Sequence, residues 1–249
     1  MSTPRTLGVI PARLASTRLP RKVLREIAGR PMLAWVYEAA RACPQLDHVV
    51  VATDAEEIAA LCRANGWPVE LTSPELPSGT DRVHAIAQRI QADIYINIQG
   101  DEPLLQPDHL TALLAPFQHP HPGFAIDVTT LKVLCTEDNI ANPNAVKVVT
   151  ASDGRALYFS RATIPYDRDG AHPNYWKHIG LYAYRREALH RFAELPPSPL
   201  ELTERLEQLR LLENGFNLYV SPTEHDTIGV DTEDDLRRVE ALLLGRKTT

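Results

Sequence analysis

Val9-Ile10-Pro11-Ala12-Arg13-Leu14-Ala15-Ser16-Thr17-Arg18-Leu19-Pro20-Arg21-Lys22 decides how this chain folds and where its chemistry gathers. The apolar run Leu7-Gly8-Val9-Ile10 that feeds it reads as a buried strand. The stretch then becomes a loop with four cations, Arg13, Arg18, Arg21 and Lys22, before a helical pattern takes over at Pro31–Tyr37. Four cations between a core strand and a helix suggest a seat for a polyanion, most simply a triphosphate. Arginine grips phosphate oxygens with a planar fork, and lysine serves as a mobile point charge. Charge alone fits a plain solvated loop equally well, so the rest of the chain has to discriminate.

Working outward, apolar runs and helical patterns alternate. Helical spacing covers Ala34–Ala42 and stops at Pro44; His48–Ala52 is a strand; Asp54 is a suitable cap for a helix over Ala55–Ala64, which Asn65-Gly66 ends. A short strand at Val69–Leu71 precedes a turn-rich loop, then a helix over Asp81–Gln91, a strand over Ile94–Ile98 and a helix over Pro107–Leu114. This alternation predicts an α/β fold with a mostly parallel central sheet flanked by helices, its ligands at the carboxyl ends of the strands. The basic loop, Ser78-Gly79-Thr80 and Gln99-Gly100-Asp101 all fall at such ends, which favours the phosphate reading over plain solvation.

From Asp127 the chain turns strand-rich. Asp127–Val133, a hairpin of Ala145–Val149 with Ala156–Ser160 about Asp153-Gly154, and Lys177–Tyr184 read as strands. Glu201–Glu213 reads as one charged helix with a stripe of Leu202, Leu206, Leu209 and Leu212. A strand at Asn217–Val220 follows, then a last helix from Thr232 with acids in its first turn. A length of 249 residues fits one large α/β domain or a core with a smaller appended lobe.

Composition narrows the function. A net charge of −6 argues against a general binder of nucleic acid or anionic membrane, so the basic loop is a local feature that suits a small anionic ligand. No apolar run approaches the roughly 20 residues of a membrane span, and Met1–Thr6 runs straight into the first strand without a signal-peptide pattern. Cys43, Cys62 and Cys135, odd in number, read as buried reduced thiols of a cytoplasmic protein. There is no Gly-x-Gly-x-x-Gly fingerprint, no Walker-type run and no Gly-x-Ser-x-Gly elbow, which disfavours a nicotinamide dehydrogenase, a P-loop ATPase and an acyl hydrolase.

Two carboxylates stand out. Asp101 lies just past a buried strand, beside a glycine that allows close backbone approach. It suits a magnesium ion that also touches phosphate, or else a simple turn or cap. Asp231, in Gly229-Val230-Asp231-Thr232, is the matching second ligand, or a helix cap that Thr232 is equally able to supply. A pair of carboxylates at one sheet edge fits phosphoryl or nucleotidyl transfer. Ser78-Gly79-Thr80 offers hydroxyls and backbone for a base or ribose, but also looks like many helix starts. His178 in its strand, and Glu207 and Gln208 on their helix, read first as structural or solvated positions.

These pieces together resemble the 3-deoxy-manno-octulosonate (Kdo) cytidylyltransferase family. The resemblance rests on Ile10-Pro11-Ala12-Arg13 with Ser16-Thr17-Arg18-Leu19-Pro20 and Lys22, on Ser78-Gly79-Thr80-Asp81-Arg82 and on Gln99-Gly100-Asp101-Glu102-Pro103. It continues through Asn142–Val149, Ala156–Pro165, His178-Ile179-Gly180, Ser198–Glu201 with Leu206–Arg210, and Gly229–Thr232. It implies a nucleotide-diphosphosugar-transferase type fold in which 1–249 is a single α/β catalytic domain with 127–194 contributing a smaller strand-rich dimerisation lobe, a homodimer, CTP and Kdo as substrates, and Mg2+ as cofactor. Carried over by position, Pro11, Ala12, Arg13, Ser16 and Lys22 take the nucleotide, Arg13 and Lys22 its triphosphate. Ser78, Gly79 and Thr80 line the cytosine pocket. Asp101 and Asp231 bind magnesium, with Arg13, Lys22 and Asp101 as the catalytic set. Gln99, Arg161, His178, Glu207 and Gln208 face the sugar acid. The reaction implied gives CMP-Kdo and pyrophosphate for lipopolysaccharide assembly; the alternative is the same chemistry on sialate or 8-amino-Kdo. Arg18 and Arg21 receive no role, and Arg21 stands where the family often has Gly.

Overall fold

A computed structural model describes residues 5–246 apart from 15, 17 and 120–122. Ala15 and Thr17 of the opening stretch, and the Met1–Pro4 lead, therefore lie outside the described residues. The chain divides into two units, one of Met1–Thr111 with Asp226–Thr249 and one of Ala112–His225.

In the first unit, β1 (Thr6–Ala12) is followed by the small hairpin β2 (Glu26–Ile27) and β3 (Arg30–Pro31), then α1 (Met32–Arg41) and β4 (His48–Thr53). Next come α2 (Glu56–Ala64), β5 (Val69–Leu71), α3 (Gly79–Ala87) and β6 (Ile94–Asn97). The chain leaves this unit along α4 (Pro107–Gln118). Strands β6, β1, β4 and β5 lie side by side in that order, every pair parallel, with Val9 opposite both Val50 and Asn97. Val9, Ile10, Val50, Val51, Ile94 and Ile96 are all buried, as strands covered on both faces require. Helix α1 buries Met32, Leu33, Val36, Tyr37 and Ala40, a stripe at helical spacing.

Two boundaries differ from the sequence reading for reasons of capping. Asp54 does not cap α2: Ala55 takes that place without a side-chain bond, and Asp54 Oδ2 instead accepts from Arg82 at 2.6 Å. Helix α3 begins at Gly79, two residues early, because Ser78 and Asp81 form a reciprocal capping box, and it stops before Ile90. Arg82 is fully buried and also donates to Thr72 Oγ1 at 2.5 Å and to the Ser73 carbonyl. Its guanidinium fastens α3 to the ends of β4 and β5.

The second unit holds β7 (Val128–Leu134), α5 (Glu137–Ile140), β8 (Lys147–Thr150), β9 (Ala156–Ser160), β10 (Trp176–Arg185), α6 (Arg186–Ala193), α7 (Pro199–Glu204), α8 (Gln208–Glu213) and β11 (Leu218–Pro222). β11 pairs parallel with β7, which pairs antiparallel with β10; β8 and β9 form the expected hairpin, with Gly154 in the left-handed region at φ +86°. The helix expected over Glu201–Glu213 is broken. Arg205 adopts φ 55°, ψ 47°, so the chain ends α7 and restarts as α8. Leu206 and Leu209 are buried while Leu202 is exposed, and no single leucine stripe forms. α9 (Glu233–Arg246) returns to the first unit.

Removing the buried Arg82 charge while leaving Asp54 should unbalance α3. Arg82→Met is expected to lower folding stability by about 3 kcal/mol, the scale for breaking a buried ion pair from one side. Urea denaturation of the variant against the parent measures it.

Candidate functional site

An apolar cluster of Leu19, Ile27, Met32, Leu104, Val230, Leu236, Val239 and Leu243 underlies one edge of the first unit. Leu19 belongs to the basic loop, Leu104 follows Gln99–Pro103, and Val230 precedes Asp231, so three charged segments share one support. The Val230 N–H also donates to the Asp101 carbonyl at 2.9 Å.

On that support three predicted residues meet. The Lys22 ammonium bonds Asp101 Oδ2 and lies 2.9 Å from Asp231 Oδ1. Burial by itself would pull the Lys22 ammonium down, but the two carboxylates outweigh it and hold the group above the ordinary lysine range. Arg18, absent from the predicted set, reaches Asp231 Oδ2 at 2.9 Å. Its signals in the sequence were its place among the cations of the loop and in the run Ser16-Thr17-Arg18-Leu19-Pro20, with no role attached. Asp231 is available for this because Thr232 and Asp235 close the start of α9: Asp235 accepts from the Asp231 and Thr232 N–H groups, and its own N–H donates to Thr232 Oγ1. Arg13, past the end of β1, is exposed; Pro11 and Ser16 are half-buried and Ala12 buried.

Backbone contacts fix this edge. A Cβ on Gly100 would stand 2.8 Å from the Pro11 carbonyl oxygen, so only glycine lets the loop after β6 lie against β1. Arg21 has φ 58°, the left-handed conformation glycine takes freely, and its guanidinium bonds Glu57. The hydroxyls of the Ser78-Gly79-Thr80 turn have local partners. Ser78 is bound to Asp81, and buried Thr80 Oγ1 receives Asn97 Nδ2 at 3.3 Å. A Cβ on Gly79 would meet Pro11 and Asn97 at ordinary van der Waals distance. Gln99, half-buried, follows Asn97 at this same edge.

The other predicted positions lie in the second unit. His178 is buried, its Nε2 3.0 Å from both Thr130 Oγ1 and Tyr182 Oη. Burial, with a smaller push from Lys177, drives its pKa down to about 3, so it stays neutral. Arg161 spends its guanidinium on three backbone carbonyls, Glu204, Pro143 and Arg205, and its N–H on the Glu204 carboxylate. It thereby braces the left-handed residue that breaks the helix. Gln208 is buried in α8, not on a solvated face, and its Nε2 lacks a partner among the described residues. Glu207, the residue that caps α8, is half-buried. Among the cysteines Cys43 and Cys62 are buried as expected, with burial raising Cys62 to about 11, whereas Cys135 is only half-buried.

No group of three or more His, Cys, Asp or Glu able to hold a metal occurs among the described residues. Two carboxylates nevertheless suit a hard cation such as magnesium, which completes its shell with water and phosphate oxygens. No helix among the described residues is long and apolar enough to cross a membrane.

A family model described as cytidylyltransferase matches residues 7–225. The chain is 67% identical over 248 residues to the 3-deoxy-manno-octulosonate cytidylyltransferase of Acidobacterium capsulatum, covering 99% of this chain and 100% of that one. It is 56% identical to the protein of the same name from Koribacter versatilis, over 98% and 92% of the two chains. A solved structure of CMP:2-keto-3-deoxy-manno-octonic acid synthetase complexed with CTP superposes with a TM-score of 0.92 at 40% identity, covering 97% of this chain and 99% of that one.

Two outcomes follow from the contacts above. Gly100→Ala should cost about 1–3 kcal/mol through overpacking against β1, read by chemical denaturation. His178 binds its proton more weakly folded than unfolded, so the unfolded state holds more protons between pH 6.5 and about 3, and stability falls as pH falls through that window. Against His178→Asn, the parent should lose up to about 1.4 kcal/mol more per pH unit below 6.5, measured as unfolding free energy at pH 7, 6 and 5.

Proposed function

This chain belongs to the 3-deoxy-manno-octulosonate cytidylyltransferase family, and on that premise we propose that it couples CTP to Kdo, giving CMP-Kdo and pyrophosphate, through the Lys22–Asp101–Asp231 edge. The observation that carries the reading is the meeting of two carboxylates and a lysine, with Asp101 in the loop that follows the parallel strand β6, where nucleotide chemistry gathers in such sheets. Arg13 and Lys22 neutralise charge on the triphosphate and on the departing pyrophosphate, a preorganised electrostatic contribution. The turn Ser78-Gly79-Thr80, held rigid by its capping box and by Asn97, frames the cytosine. Gln99, Arg161, His178, Glu207 and Gln208 take the sugar acid. The carbonyl-braced Arg161 keeps its full charge for a carboxylate, and the unpaired Gln208 amide has a donor to offer.

In the transfer, the anomeric hydroxyl oxygen of Kdo forms a bond to the α-phosphorus of CTP as the bond from that phosphorus to the bridging oxygen breaks. Pyrophosphate leaves with the electron pair, and the hydroxyl proton is released. Asp101 and Asp231 are the residues that would hold Mg2+, which when bound supplies Lewis-acid stabilisation of phosphate oxygens and a lowered hydroxyl pKa. The protein works in the cytoplasm as a homodimer; exposed Leu134 and Leu157 in the second unit give a second copy apolar surface to cover.

Pyrophosphate release from CTP and Kdo with magnesium, set against other nucleotides and against sialate and 8-amino-Kdo, tests the assignment. Asp101→Asn is expected to cut turnover at least a hundredfold, roughly 3 kcal/mol of barrier, with circular dichroism unchanged. Turnover within a few-fold of the parent would remove Asp101 from the metal site, and a faster reaction with another sugar would reassign the substrate.

A further inference from the structure

The carboxylates read above as metal ligands already have a cation from the chain itself. Lys22 Nζ bonds Asp101 Oδ2 and Asp231 Oδ1 at once, and Arg18 takes Asp231 Oδ2. Two positive and two negative groups cancel, which leaves no net negative charge to attract a divalent ion. The Lys22 side chain is only 14% exposed, whereas Arg18 is 67% exposed. Lysine is thus the inner occupant and arginine the outer one. From this we infer that Lys22 is the resident cation of the metal site, and that a divalent ion enters only when a nucleoside triphosphate draws the ammonium onto its phosphates.

The local structure allows the exchange. Lys22 opens the short turn Lys22–Leu24, whose Val23 is buried and anchors the backbone. The ammonium rides on a four-carbon stem that can swing without moving that anchor. A triphosphate offers it several anionic oxygens, so leaving the carboxylates costs it no partner, and Asp101 and Asp231 then present bare oxygens to an incoming ion. Without the nucleotide, the apparent metal affinity is reduced by the small fraction of molecules in which Lys22 is displaced. The order of binding follows from the charge count: nucleotide first or together with the ion, never the ion alone at working concentrations.

This inference rests on Asp101 and Asp231 being the metal ligands, and the test separates the two. Mn2+ is titrated into the nucleotide-free protein, with free ion read by electron paramagnetic resonance, for the parent, Lys22→Met, Lys22→Arg and Lys22→Met/Asp101→Asn. Melting curves establish that each variant is folded. Lys22→Met should bind Mn2+ at least about tenfold tighter than the parent. Lys22→Arg, which keeps the charge, should stay near the parent, and the double variant should lose the gain. Equal affinity of Lys22→Met and the parent, with a clear loss on adding Asp101→Asn, would overturn the exchange while leaving the metal site in place. Tight binding by Lys22→Met that survives Asp101→Asn would place the ion elsewhere and overturn both.

Discussion

The apolar cluster beneath the charged edge is what the rest of the site depends on. Leu19, Leu104 and Val230 come from three segments far apart in sequence, and all are buried in one cluster with Met32, Leu236 and Val239. Burying side chains of this size is worth about 1.5–3 kcal/mol each, while ion pairs as exposed as Arg18–Asp231 typically contribute about 0–1 kcal/mol. The magnitudes settle the causal order. Hydrophobic packing brings the segments together, and the charges are carried into contact on it. A site built this way can release its internal ion pairs to a ligand without losing its framework.

Backbone constraints sharpen that arrangement. Gly100 lets the Asp101 loop lie against the Pro11 carbonyl, where any Cβ would collide. One residue before Lys22, Arg21 occupies the left-handed region at a cost of roughly 1–2 kcal/mol relative to an unstrained residue. The same device recurs at Arg205, where it breaks a helix and turns Gln208 inward. There the cost is offset by Arg161, whose guanidinium accepts the task of binding the carbonyls that the helix end leaves exposed.

Much of this was legible in the sequence because it depends on local pattern. Apolar runs at β1, β4 and β6 and the helical stripe of α1 report their own burial, and the acids after Thr232 announce a helix start. Asp101 and Asp231 could be singled out by residue type and placement, and both prove to bond Lys22. What escaped was long-range competition for the same group. Asp54 has every local property of a cap, yet a buried arginine 28 residues away takes it. The stripe Leu202–Leu212 has helical spacing, but a conformation at Arg205 that no composition signals divides it. Arg18 gained a partner only when Asp231, more than 200 residues later, was folded beside it.

Two enclosed lysines show why the exchange falls to Lys22. Lys147 is fully buried in the second unit and donates to the carbonyls of Asn142 and Ala145. Burial pulls its pKa below the ordinary lysine value, and only weaker and opposing charges from Cys135, Arg161 and Glu204 modify that. Its bonds tie one loop down, and no charged partner is released if it moves. Lys22 is held by two full carboxylates, is shifted the other way, and keeps an opening to solvent. An ammonium bound by carbonyls is a structural pin. One bound by two carboxylates holds their place for a stronger cation, and gives it up when a polyphosphate offers the ammonium equivalent charge.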